Sequence, residues 1–159
     1  MKQLTLVYLL RENEICLALK KRGFGAGNYN GYGGKVEEGE TIQEGAVREV
    51  YEESLVRVQE SDLAQVAAMT FYLHGEQLQV TAYVTYQWEG VPQETEEMKP
   101  KWFTTAAIPY EKMWADDVHW MPRIFAGEKL VGTVWFEKDG KTIAAMEWNP
   151  VTSFQIKTE

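Results

Sequence analysis

The sequence predicts one α/β domain, a central mixed β-sheet covered by helices, and three observations carry that prediction. The chain has 159 residues, 45% of them hydrophobic and 25% charged, which is the size and composition of a single globular domain over residues 1–159. Short apolar runs bounded by Gly, Asn, Asp and Glu recur along it and read as strands. One longer segment, Thr41–Ser54, carries helical periodicity instead. A sheet of many strands with few helices needs those helices laid on it to complete a core.

From the N-terminus, Leu4–Leu10 and Ile15–Lys20 are apolar runs parted by the polar turn Arg11-Glu12-Asn13-Glu14, the pattern of a hairpin. Gly23–Gly34 is glycine-rich and broken by aromatics, so it reads as a loop with a short strand near its end. In Thr41–Ser54, Thr41 with Glu44 fits a capping box, and Ile42, Ala46, Val47 and Val50 form an apolar stripe. Leu63–Leu73 and Leu78–Trp88, joined across His74-Gly75-Glu76-Gln77, read as two strands. Gly90–Pro100 is an acidic loop and Lys101–Thr105 a further strand. Tyr110–Met113 and Asp116–Phe125 read as short helices. Leu130–Phe136 and Thr142–Trp148 flank an Asp139-Gly140 pair, a hairpin signal.

Composition excludes several functions. Cys16 is the only cysteine and lies between Ile15 and Leu17, so it reads as a buried core thiol, with no disulfide framework. With His74 and His119 the only histidines, there is no zinc cluster and no Cys/His nucleophile pair. The run Leu4–Leu10 is too short to span a membrane, and no small-residue cleavage site follows it, so a reducing, cytoplasmic location is expected. With 24 acidic against 16 basic residues the net charge is −8, which argues against a nucleic-acid binder. It leaves phosphate chemistry open, because divalent cations can sit between acidic side chains and a polyanion.

The helix Thr41–Ser54 concentrates the chemistry. Glu49, Glu52 and Glu53 are spaced i, i+3, i+4 and share one face, with Val47 and Val50 on the opposite side and Arg48 four residues before Glu52. Three carboxylates on one face repel. Either they form a solvated charged surface, or a hard divalent cation such as Mg²⁺ compensates them. The glycine loop before the helix is no nucleotide cradle of the common kinds. A P-loop would need glycine at Tyr29 and Ser or Thr at Val36, and G-x-G-x-x-G finds no register between Gly23 and Gly34.

The spacing of Gly34, Glu40, Arg48, Glu49, Val50, Glu52 and Glu53 resembles the box of the Nudix hydrolases. Such a match arises by chance with odds on the order of a few in a million at average residue usage. One position departs: Leu55 stands where the pattern has the glycine that ends the helix, which would cost about 1 kcal/mol if a left-handed conformation is required. Beyond the box, Lys20–Gly27, Asn30–Lys35, Glu97–Pro100 with Trp102-Phe103, and Met113-Trp114 with Asp116, Asp117 and Trp120 resemble the MutT-related oxidised-purine nucleoside triphosphatases of animal type, the 8-oxo-dGTP diphosphatases.

That resemblance implies an α/β/α sandwich and an enzyme that converts oxidised purine nucleoside triphosphates (8-oxo-dGTP, with 2-oxo-dATP second) to monophosphate and pyrophosphate. It implies Mg²⁺, or Mn²⁺ in its place, at Gly33, Glu49, Glu53 and Glu97. The catalytic residues would be Glu53, Glu97, Glu52 and Arg48, with either Glu53 or Glu97 as the base and Arg48 orienting a glutamate. The base pocket would be built from Thr5, Lys20, Phe24, Asn30, Phe71, Trp114, Asp116, Asp117 and Trp120. Gln79 stands near the place of a pocket methionine. The partner is then a small-molecule triphosphate, with neither nucleic acid nor membrane, and the chain acts as a monomer.

The chemistry suits these roles. Trp114 offers a face for a purine to stack on, and Asn30 offers both donor and acceptor. Two aspartates in a dry pocket tend to share one proton. Each residue also has a plainer reading: Asp116-Asp117 as a helix N-cap, Trp114 and Trp120 as core, Asn30 as a turn residue. Two further functions fit the box, a Nudix hydrolase of another nucleoside diphosphate-linked substrate and a non-catalytic nucleotide-sensing module.

Overall fold

The computed structural model describes residues 1–154, so the last five positions of the expected domain lie outside the described residues. In chain order the elements are β1 (Lys2–Arg11), β2 (Glu14–Lys20), β3 (Tyr29–Asn30), α1 (Ile42–Ser54), β4 (Ala64–Leu73), β5 (Glu76–Thr85), β6 (Met98–Thr104), α2 (Asp117–Phe125), β7 (Lys129–Phe136) and β8 (Ile143–Val151). They form one sheet in the order β3-β2-β1-β5-β4-β7-β8, with β6 on the other edge of β2. β1 runs parallel to β5 and β4 parallel to β7, while the remaining pairs are antiparallel, so the sheet is mixed as expected.

Both faces of the sheet's middle are buried, which is why its strands read as near-continuous apolar runs. Along β1, Tyr8 and Leu10 enter one core with Ile15, Leu17, Trp120 and Met121. Val7 and Leu9 enter the other with Cys16, Ala18, Ala46 and Val50. One helix therefore covers each face, α2 the first and α1 the second, giving the expected sandwich.

The glycine loop is positioned by a division of the β1 edge. β2 pairs with β1 only at Leu9–Arg11. Beyond that point the loop takes its place, bridging Val7 to Tyr32 and Leu4 to Lys35. Val7 N–H donates to Tyr32 at 2.6 Å and Thr5 N–H to Gly34 at 2.9 Å. The loop also holds a hard contact: a Cβ on Gly33 would lie 1.7 Å from the Thr5 carbonyl oxygen, so only glycine fits.

α1 starts where the sequence places it. The Thr41 hydroxyl accepts from Glu44 N–H at 3.1 Å, and the Glu44 carboxylate accepts from Thr41 N–H at 2.8 Å. It ends at Leu55, which adopts φ 65° and is 49% exposed, so burial of its side chain offsets little of the left-handed strain.

Other boundaries move. β6 begins at Met98, not Lys101, because Met98, Lys99 and Pro100 pair with Lys20, Leu19 and Ala18; the acidic loop is shorter by the same three residues. The β4–β5 turn tightens to His74-Gly75, both at positive φ, as a two-residue hairpin demands. Tyr110–Lys112 forms a single 3₁₀ turn instead of a short helix. Among the described residues no helix is long and apolar enough to cross a membrane.

Candidate active site

α1 presses Glu49 and Glu53 against the glycine loop. A Cβ on Gly34 would lie 2.7 Å from the Glu49 carboxyl carbon, so this glycine is what lets the carboxylate approach the backbone. Glu53 Oε1 accepts the Gly33 N–H at 2.8 Å. Burial beside Glu49 pushes the Glu53 carboxyl up to about 8, although the Gly33 N–H favours its charged form. Burial also raises Glu49, against the pull of Arg48.

Arg48 ties the box together. Its guanidinium donates to Glu40 at 2.6 and 3.1 Å, to Glu49 at 2.9 Å and to the Lys35 carbonyl at 3.0 Å. Glu40 is thereby held far down, at about 2. Arg48 also draws Glu52 outward, donating to it at 3.2 Å, and the Glu52 side chain stays 55% exposed. The expected convergence of Glu49, Glu52 and Glu53 is therefore incomplete. Glu49 and Glu53 face the loop, Glu52 faces solvent, and among the described residues no three metal-ligating side chains are gathered together. Arg48 Nη1 bridges Glu49 and Glu52, while the glycine loop takes Glu53.

Glu97 reaches the same region from the loop before β6. Arg22 donates to it through Nε at 3.0 Å and Nη2 at 2.5 Å and holds its carboxyl low. The loop is anchored by Lys21–Glu94 at 2.7 Å and by Thr95 Oγ1 donating to the Glu53 carbonyl at 3.1 Å. Hence Glu94 and Glu97 are more than solvated loop charges. The negative charges of Glu49 and Glu97 both push Glu53 up, and Lys20 pulls it down. The hard carboxylate oxygens of Glu49 and Glu53 fit a divalent cation of the Mg²⁺ type.

A cavity of about 250 Å³ opens beside these groups. Of the expected pocket residues, Thr5, Lys20, Phe24, Asn30, Phe71, Trp114, Asp116 and Asp117 line it, and Gly33 and Glu53 line the side toward α1. Trp114 stacks obliquely on Phe24 at 5.4 Å and meets Phe136 edge-on at 6.1 Å. Phe24, 56% exposed, forms the rim and touches His74 edge-on at 5.7 Å.

Trp120 requires correction. It is 1% exposed and lies behind the cavity, where its Nε1–H donates to Asp116 Oδ2 at 3.0 Å. Asp116 occupies the N-cap position of α2, but its carboxylate faces this indole instead of capping the helix. Asp116 and Asp117 are 2% and 5% exposed. Burial raises both carboxyls, and the charge of Asp116 raises Asp117 further. Gln79 stands beside the cavity without lining it: it donates to Thr70 Oγ1 at 2.9 Å, while its neighbours Leu78 and Val80 line the cavity.

Sequence reading missed Tyr8, Leu4, Leu6, Leu78, Val80, Met98 and Phe136 as lining residues. Strand alternation was the available signal for β1, since Leu4, Leu6 and Tyr8 share one face.

Comparison with known proteins shows the family and the fold. The NUDIX domain model matches residues 3–124. A mouse protein described as oxidized purine nucleoside triphosphate hydrolase is 41% identical over 152 residues, covering 94% of this chain and 96% of the mouse protein. A zebrafish protein of the same description is 41% identical over 138 residues, covering 86% and 87%. The crystal structure of a mutator MutT protein from Bacillus halodurans superposes with a TM-score of 0.79 at 20% identity, covering 94% of this chain and 98% of that one.

Proposed function

The chain belongs to the Nudix family, and from that membership we propose that it hydrolyses oxidised purine nucleoside triphosphates to the monophosphate and pyrophosphate, clearing them from the nucleotide pool. 8-oxo-dGTP is the first candidate and 2-oxo-dATP the second. The observation that carries this reading is the buried pair Asp116 and Asp117 at an aromatic cavity that also meets Glu53.

The chain's own groups divide the work. Trp114, braced by Phe24, offers the base an aromatic surface. Asn30 offers a donor and an acceptor to its edge. The aspartate pair shares one proton, so one carboxyl donates and the other accepts, a pattern that reads an altered purine edge. Lys20 lies on the cavity wall and within electrostatic reach of Glu53 and Glu97, where it attracts the phosphates.

Glu49 and Glu53, with Gly33 and Glu97 beside them, would hold Mg²⁺ or Mn²⁺, which when bound neutralises phosphate charge and acidifies water. Arg48 keeps Glu49 and Glu52 oriented. Glu53 or Glu97 takes the proton of the attacking water. One domain, acting as a monomer in the cytoplasm on a small-molecule triphosphate, suffices for this chemistry.

The test is pyrophosphate release with Mg²⁺ from 8-oxo-dGTP, 2-oxo-dATP, dGTP, dATP, ADP-ribose and diadenosine tetraphosphate. A large preference for an oxidised triphosphate over its parent is expected. Turnover confined to ADP-ribose or the dinucleotide would discard the base pocket while keeping the catalytic helix.

A further inference from the structure

Leu4, Leu6 and Tyr8 alternate along one face of β1 and form a wall of the cavity. The first two offer only methyl groups; the third is a phenol, 3% exposed. Its ring meets Trp120 edge-on at 6.1 Å, and Trp120 is the residue that holds Asp116. Room for the ring is made by Gly31, next to Asn30: a Cβ there would lie 2.8 Å from Tyr8 Cε1. The phenol is thus locked between the residue that follows Asn30 and the indole that orients the aspartate pair.

Its hydroxyl makes no hydrogen bond among the described residues, and among those residues no fully enclosed side-chain oxygen or nitrogen lacks a partner. The oxygen is therefore not fully enclosed; of the two spaces Tyr8 borders, the gap beside Trp120 and Met121 is about 10 Å³ and only the cavity of about 250 Å³ has room for a ligand. Burial and the negative charge of Asp117 and Asp116 keep the phenol protonated, hence able to donate.

We propose that Tyr8 is a specificity-determining residue of the base site, its hydroxyl donating a hydrogen bond to a ring carbonyl of an oxo-purine beside the edge read by Asp116 and Asp117. This rests on the reading of the cavity as a base pocket. The role is separate from that of Leu4 and Leu6, which exclude water from the same wall and carry no polar atom.

Calorimetric titration with nucleoside monophosphates tests it without turnover or metal. The probes are 8-oxo-dGMP and the deoxyribonucleoside monophosphate of unsubstituted purine, against wild type, Tyr8→Phe and Tyr8→Leu. Tyr8→Phe keeps the ring against Trp120. Loss of one donated hydrogen bond is expected to weaken 8-oxo-dGMP about tenfold and the unsubstituted purine less than about twofold, with Tyr8→Leu losing 8-oxo-dGMP affinity in the same direction. Equal effects on both ligands, or none on either, overturn the role of Tyr8 and leave the base pocket standing. Failure of wild type to bind either monophosphate overturns the pocket and Tyr8's role together.

Discussion

The indole N–H of Trp120 donates to Oδ2 of Asp116 at 3.0 Å, beside Asp117, whose carboxyl the charge of Asp116 raises further. The indole bond favours the ionised form of Asp116. Asp117, facing that charge from a buried position, is the one that keeps the shared proton.

Asp117→Asn is therefore expected to keep more activity than Asp116→Asn, because an amide still donates where Asp117 donates but cannot replace an ionised acceptor. Measured kcat/KM for 8-oxo-dGTP should fall about tenfold or less in the first and about 100-fold or more in the second. Stability provides a second readout. A carboxyl raised in the folded state contributes stability that is present below the unfolded pKa of about 3.9 and is lost as pH rises through the folded value. The Tm of Asp117→Asn should consequently gain on wild type as pH rises from 5 to 8. A constant difference across that range would contradict the shared-proton picture.

Glu53 carries a related prediction. With its carboxyl at about 8, the metal-free chain loses stability as pH rises from about 4.3 toward 8. Divalent cations bind the carboxylate, so Mg²⁺ should displace a proton at pH 7 and raise Tm more at pH 8 than at pH 6. Calorimetry in buffers of different ionisation enthalpy would detect the released proton; its absence would remove Glu53 from the metal site.

Glu53→Gln should lower kcat by about 100-fold or more, while leaving monophosphate affinity within a few-fold. Near-normal turnover would shift both metal and proton chemistry away from this residue and toward Glu97.

Arg48 acts through others, since its guanidinium is taken up by Glu40, Glu49, Glu52 and the Lys35 carbonyl. Arg48→Ala should raise the Mg²⁺ concentration needed for half-maximal rate about tenfold or more, with the KM for triphosphate at saturating Mg²⁺ much less affected. Lysine cannot reproduce the forked bonds, so Arg48→Lys should rescue only part of the loss.

Leu55→Gly should stabilise the chain by about 0.5–1 kcal/mol, because Leu55 sits at φ 65° with its side chain half out in solvent. A Tm rise of about 2–4 °C with unchanged kcat is expected. A fall in Tm would mean that its side chain contributes more than the strain removes.

Elements with local causes were legible in the sequence. Thr41 and Glu44 cap α1 through bonds three residues apart, and the 3.6-residue repeat places Glu49 and Glu53 on one helix face. The same locality marks the β1–β2 hairpin, whereas the left-handed end at Leu55 shows only in the structure. Eight residues of the expected pocket line one cavity; motif resemblance, not periodicity, grouped them.

Long-range pairing decided the rest. Alternation tells which side chains of β5 share a face, but only its parallel register against β1 and antiparallel register against β4 aims Leu78 and Val80 into the cavity and turns Gln79 toward Thr70. A one-residue shift in parity exchanges the two faces. β6 gains Met98–Pro100 only because β2 offers an edge for them, and Glu52 stays in solvent while the glycine loop takes Glu53. The sequence by itself thus determined which helix carries the carboxylates and where that helix begins, since hydrogen bonds within one turn dictate its start. Only the tertiary structure decided that Trp120 stands behind Asp116 and Tyr8 lines the pocket. Those positions depend on contacts between a strand and a helix more than 100 residues apart in sequence, which no local pattern encodes.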